Sequence, residues 1–190
     1  AKRVRFVTDY TLQPIPGKTL SRRLPEGTAL VLEGGGLRGY YSCGVMEAFM
    51  EKDLLFPYII GVSAGAANAL SYISGQPGRS REIIEHYVGN PDYVSTRNLL
   101  TKHTMFDFDY IFGTVPEKHI FFDWDKFHEQ DTRFLTGAMN CADGKTVWFE
   151  KDTLKAPFMA SRASCSVPLI TKIQHYMGYD HLDGGISDPI

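Results

Sequence analysis

A chain of 190 residues with 43% hydrophobic and 22% charged side chains suits one ordinary domain with a real core, and this composition excludes a disordered segment. Its formal charge of −2 gives no electrostatic basis for binding nucleic acid, and no stretch approaches the length of a transmembrane helix. The three widely spaced cysteines, Cys43, Cys141 and Cys165, suit neither a disulfide framework nor a zinc site; they read as small apolar fillers in a reducing compartment.

Residues 1–27 carry six basic side chains among Pro14, Pro16, Gly17, Pro25 and Gly27, which predicts an irregular, solvated arm. No apolar h-region follows the positive start, so no secretory signal is expected. Residues 28–190 form a single folded domain on this reading. Thr28 to Glu33 is a short apolar run of strand formers, and Gly34-Gly35-Gly36-Leu37-Arg38-Gly39 follows it at once. Tyr41, Val45 and Phe49 then recur at helical spacing. Pro57 precedes a second buried strand, Tyr58 to Ile60, and the alanine-rich run Ala64 to Ser74 is a helix stopped by Gly75. Strand, helix, strand, helix in this spacing is a βαβ unit, which builds parallel sheet with covered faces.

Arg81 to Val88 reads as helix. The aromatic stretch from Phe106 to Phe127 has no clean period; core packing is the commoner explanation, and a cover over a lipid site is the other. Asp143-Gly144 between Phe134–Met139 and Thr146–Phe149 signals a hairpin. Ala156 to Ser164 is expected as a helix with Pro157 in its first turn, and two strands around Gly178 deliver Asp183-Gly184-Gly185 to a strand end.

Three motifs carry chemistry. Gly61-Val62-Ser63-Ala64-Gly65 sits between a buried strand and a helix, where small flanking residues permit the sharp turn of a nucleophile elbow. The helix N-terminus there favours developing negative charge. The glycine loop ends a neighbouring strand, so it opens on the same sheet edge; Gly35 and Gly36 can aim N–H groups at an oxyanion, with Ala64 adding a third. Arg38 is expected to support the loop. Asp183 is the candidate base, because burial can raise a carboxylate's pKa towards working pH. No metal or other cofactor is expected.

The glycine loop also spells G-x-G-x-x-G, yet the end of the second strand, where a ribose-binding acid would stand, is Gly61-Val62-Ser63. A dinucleotide-binding module therefore ranks below hydrolysis. A Ser-His-Asp esterase is the other alternative, with His181 two residues before Asp183 as its candidate base. A catalytically silent scaffold is the third.

Together the G-G-G-x-R-G loop (Gly34 to Gly39), the G-x-S-x-G elbow (Gly61 to Gly65) and the distant Asp183-Gly184-Gly185 resemble the patatin-like phospholipase family. Ala160 to Pro168 is also similar to the family's segment before its last catalytic strand. The resemblance implies a three-layer α/β/α fold with a mainly parallel central sheet. It implies a Ser63–Asp183 dyad, Gly35 and Gly36 as oxyanion donors, and hydrolysis of phospholipid or related acyl esters without a metal. Members of that family normally continue well beyond the aspartate motif, so a chain ending at Ile190 is expected to be a fragment or an unusually short member. The expected setting is cytoplasmic, with room for peripheral membrane contact.

Overall fold

A computed structural model describes residues 14–190, so part of the basic arm, residues 1–13, lies outside the described residues. Residues 14–27 run against the body of the protein. Leu20 is buried, and the Gln130 side chain accepts from the Leu20 N–H and donates to the Lys18 carbonyl. Strand β1 (Arg22–Arg23) pairs in parallel with β3 (Leu54–Leu55) as a small separate sheet.

The first βαβ unit forms as its sequence pattern predicts. Strand β2 (Ala29–Leu32) leads through a 3-10 turn at Gly36–Gly39 into α1 (Tyr40–Glu51). Strand β4 (Tyr58–Val62) begins directly after Pro57 and pairs in parallel with β2. Helix α2 (Ala64–Ile73) follows and packs on the sheet through Ala66, Ala69 and Ile73, all fully buried. Small side chains on this face let the helix lie close to the strands. Helices α3 (Arg79–His86) and α4 (Thr96–Lys102) follow.

The aromatic stretch divides into two parts. Tyr110–His119 winds as a π-helix, and α5 (Trp124–Glu129) follows it. A π-helix has i→i+5 bonding, so side chains in it obey no 3.6-residue repeat, which is why no period was visible. Phe112, Phe122 and Phe127 are buried in the main core, where Trp124 and Phe122 pack on Phe158 with ring centroids 4.5 and 5.0 Å apart. Core packing is thus the role of most of these rings.

Strand β5 (Arg133–Asn140) is the centre of the sheet and, apart from Arg133, is buried over most of its length. It runs parallel to β4, forms an antiparallel hairpin with β6 (Thr146–Glu150), and pairs antiparallel with β8 (Tyr179–Asp183), which in turn pairs antiparallel with β7 (Gln174–Tyr176). The sheet is therefore mixed, with order β2-β4-β5-β8-β7 and β6 attached to β5. This corrects the expectation of a mainly parallel sheet. Only helical crossovers return a strand parallel; the turns at Gly144 and Gly178, both with positive φ, reverse the chain within a few residues and force antiparallel neighbours.

Helix α6 (Met159–Ser164) is shorter than expected. Phe158 has φ 62°, a left-handed conformation that an α-helix cannot include, so residues 156–158 turn before the helix begins. The result is a central sheet flanked by helices, an α/β fold. No helix among the described residues is long and apolar enough to cross a membrane.

Candidate active site

The register of β5 brings two strand ends together. Val62, the last residue of β4, pairs with Gly137, while Asp183, the last residue of β8, pairs with Ala138. Strand β6 occupies the opposite edge of β5, since it pairs with Leu135 to Met139. Strands β4 and β8 therefore share one edge and run towards each other, and their C-terminal ends meet.

Ser63 turns out of β4 with φ 53° and ψ −128°. A non-glycine residue in that region is strained by about 1–3 kcal/mol, and a nucleophile elbow is a place where such strain recurs. The turn is tight enough to bring α2 onto the end of β2. A Cβ built at Gly65 would stand 2.1 Å from the Leu32 carbonyl oxygen, so only glycine fits there. Ser63 is the N-cap of α2, yet its side chain makes no capping bond. Instead its Oγ donates to Asp183 Oδ2 at 2.6 Å, in a buried contact between residues 120 positions apart.

Asp183 is only 5% exposed. Its second oxygen, Oδ1, accepts from the Gly185 N–H at 2.8 Å. Burial pushes the carboxyl pKa up, and the bonds from Ser63 and Gly185 pull it back only in part. Gly184 lets the chain leave close to β5, because a Cβ there would stand 2.4 Å from the Gly137 carbonyl oxygen.

The glycine loop lies beside the serine. A Cβ at Gly34 would be 2.9 Å from Ser63 Cβ, and the Gly39 carbonyl accepts from Asn68 on α2 at 3.0 Å. Gly35 is the residue before the 3-10 turn, Gly36 has φ 55°, and Gly36 borders the same cavity as Ser63 and Ala64. Arg38 is exposed, and its backbone N–H donates to the Gly35 carbonyl at 3.2 Å. Gly61 packs under α2, 2.8 Å from Ala66 as measured from an added Cβ. The motif residues Gly34, Gly35, Gly36, Gly39, Gly61, Ser63, Ala64, Gly65, Asp183, Gly184 and Gly185 thus converge on one region.

Two serines that the motif reading did not single out hold this region in shape. Ser164, at the end of α6, accepts from the Ser63 N–H at 2.8 Å and donates to the Gly137 carbonyl at 2.6 Å. The Ser166 carbonyl accepts from the Asp183 N–H at 2.8 Å. One segment therefore braces both strand ends. The likeness of Ala160 to Pro168 to the patatin-like segment marks this stretch in the sequence, but not which of its serines makes these bonds.

His181 goes elsewhere. It is buried, its Nε2 is 3.1 Å from the Tyr176 carbonyl oxygen, and its ring packs against Phe149. Among the described residues no histidine hydrogen-bonds to Ser63 or Asp183. Nor is there a group of three or more histidine, cysteine or acidic residues among them that could hold a metal ion.

Ser63 opens into a cavity of about 250 Å³ lined largely by apolar side chains, including Leu37, Phe106, Phe108, Ile111, Phe112 and Phe158. Phe106 and Phe108, from the stretch without a period, form part of its wall.

Comparison with known proteins bears on the family and the fold. The chain is 29% identical over 184 residues to the uncharacterized protein YjjU of Escherichia coli K12, a match covering 95% of this chain and 51% of that protein. It is 34% identical over 84 residues to a patatin-like phospholipase domain-containing protein of Cryptococcus neoformans, covering 43% of this chain and 9% of that one. The chain thus spans about half the length of YjjU and a small part of the fungal protein. Among solved structures, VipD from Legionella pneumophila superposes with a TM-score of 0.57 at 13% identity, over 97% of this chain and 52% of VipD, a likeness of fold. The sequence model of the patatin-like phospholipase family matches residues 30–190, and the chain belongs to that family.

Proposed function

We propose that this chain is a serine acyl hydrolase acting on lipid esters, with Ser63 as nucleophile and Asp183 as general base. The observation that carries the proposal is the 2.6 Å hydrogen bond to the buried Asp183 carboxylate from Ser63 Oγ, whose residue lines an apolar cavity. A serine hydroxyl is a poor nucleophile until a base takes its proton, and this carboxylate is within reach of it.

The reaction runs in two halves. Ser63 Oγ attacks the ester carbonyl while its proton passes to Asp183. The tetrahedral oxyanion is stabilised by the N–H groups of Gly35 and Gly36 and by that of Ala64, one of the first-turn donors of α2 that lack an intrahelical partner. Arg38 supports the glycine loop. As the carbon–oxygen bond to the alcohol breaks, Asp183 returns its proton to the leaving oxygen. Water then attacks the acyl-enzyme, gives a proton to Asp183, and the acid departs as Ser63 regains its hydrogen. The cavity's apolar wall favours an acyl chain, so phospholipid, lysophospholipid and related esters are the proposed substrate class, met in the cytoplasm or at a membrane surface.

A fluorophosphonate probe tests the nucleophile directly. Labelling of the native chain that is lost in Ser63→Ala supports the proposal, and absence of labelling in a folded native chain overturns it. Phospholipid and p-nitrophenyl ester assays on Ser63→Ala and Asp183→Asn then test turnover.

A further inference from the structure

The cavity that Ser63 opens into contains a charge that no acidic side chain among the described residues pairs with. Arg79, the first residue of α3, lines this cavity and is only 5% exposed. Burial pushes its pKa down to about 10, which still leaves the guanidinium charged at neutral pH. Its Nη1 donates to Ser71 Oγ at 2.9 Å, and Nε and Nη2 reach the Phe121 and Ile120 carbonyl oxygens at 3.4 Å. The group also lies 5.0 Å from the centre of the Phe122 ring. None of these partners is an acid.

Arg162 provides the contrast. It is comparably buried, and it pairs with Asp109 at 2.6 Å. No ion pair among the described residues includes Arg79. An unpaired buried charge is costly, and a guanidinium has five N–H donors, so with three engaged two have no described partner.

The charge also stands at a defined depth. Ala64, Ala67, Asn68 and Ser71 form one face of α2 along the cavity wall. Ser71, which holds Nη1, lies seven residues beyond Ala64, about 10 Å along the helix axis at 1.5 Å per residue.

We propose that this cavity accepts an acyl group that ends in a carboxylate, with the ester carbonyl at Ser63 and the distal carboxylate on Arg79. The substrate class is then the half-ester of a medium-chain dicarboxylic acid, or an acyl chain oxidised at its far end. A plain alkyl chain of that length would press a methyl group against the guanidinium, whereas a carboxylate would accept from its two remaining N–H groups in charge-assisted bonds. This inference rests on the reading of Ser63 as an acyl-transfer nucleophile.

The test compares two esters of equal chain length, mono-p-nitrophenyl suberate and p-nitrophenyl octanoate. The native chain is expected to favour the suberate ester in kcat/KM by about tenfold or more, mainly through KM. Arg79→Gln should lose that preference, and Arg79→Lys, which keeps the charge, should retain part of it. A native chain that prefers the octanoate ester overturns the inference without any variant having to fold. So does a folded Arg79→Gln with its preference unchanged. If neither ester is cleaved, calorimetric binding to Ser63→Ala separates the two readings. Monomethyl suberate binding at least about tenfold tighter than methyl octanoate would keep the cavity assignment while the hydrolase reading fails, and equal binding would end the assignment too.

Discussion

Val62 and Asp183 face successive residues of one strand, Val62 opposite Gly137 and Asp183 opposite Ala138. A parallel strand and an antiparallel one share the same edge of β5 and stop where they meet. The hydroxyl of the residue after Val62 then has the Asp183 carboxylate at 2.6 Å with no histidine between them.

Asp183→Asn should abolish ester turnover, by about 10⁴-fold as for a lost triad carboxylate, while raising the melting temperature. The sign follows from the raised carboxyl pKa in the folded chain. A folded state that holds its proton more tightly than the unfolded one is most stable at low pH and loses stability as pH rises through the folded value. At neutral pH the native chain therefore carries a destabilising charge, which the amide removes while it can still accept from Gly185 and donate to Ser63. Thermal unfolding of both proteins at pH 7, alongside an ester assay, checks both halves. A lower melting temperature for the variant would count against the burial argument.

Activity should have an acid limb set by the same group. The base must be ionised to take the serine proton, and burial holds its pKa above the ordinary 3.8. The kcat/KM profile of the native chain should fall on the acid side at a pH above that value. A limb at or below 3.8 would show that another group controls the rate.

Ser164 is a positioning residue, and Ser164→Ala should reveal it. The change leaves the buried Ser63 N–H and one bond to the Gly137 carbonyl unmet, which should cost about 1–3 kcal/mol of stability. It should also lower kcat with little change in KM, since the elbow shifts while the cavity stays intact. Denaturant titration and steady-state kinetics measure the two effects. A loss of stability with unaltered kcat would mean that Ser164 serves the fold alone.

Two glycine-to-alanine changes should have opposite signs. Gly65→Ala forces a methyl group onto the Leu32 carbonyl oxygen and should destabilise the chain by several kcal/mol, about 4 or more. Gly44→Ala lies on the exposed face of α1 with nothing within 4 Å, and should stabilise the helix by about 0.5–1 kcal/mol. Chemical denaturation of the pair is a direct check of how closely α2 approaches β2.

Much of the fold was legible because its determinants are local. Thr28 to Glu33 and Tyr58 to Ile60 are apolar runs of strand formers, and strands form there, at Ala29–Leu32 and at Tyr58–Val62, the second continuing through Gly61. The hairpin at Asp143-Gly144 and the turn at Gly178 are legible too, but a local turn fixes only its own pair of strands and not the direction in which that pair joins the sheet. Helix α6 begins late because Phe158 adopts a left-handed backbone, which its residue type does not announce. The stretch from Phe106 to Phe127 resisted reading because part of it is a π-helix. Arg79 looks in sequence like any basic residue at the start of a helix, since burial is a property of its neighbours.

The amino-acid order by itself determined the elbow at Gly61 to Gly65, the glycine loop before it and the Asp183-Gly184-Gly185 turn. Each depends on backbone freedom and small side chains within a handful of consecutive residues. Only the tertiary structure decided that the third meets the first, that Ser164 and Ser166 of one segment brace the two strand ends, and that Arg79, with no acidic partner among the described residues, faces the cavity. Those outcomes depend on the register of β5 and on packing between segments far apart in the chain, more than a hundred residues for Ser63 with Asp183 and with Ser164, and no local preference in the chain specifies either.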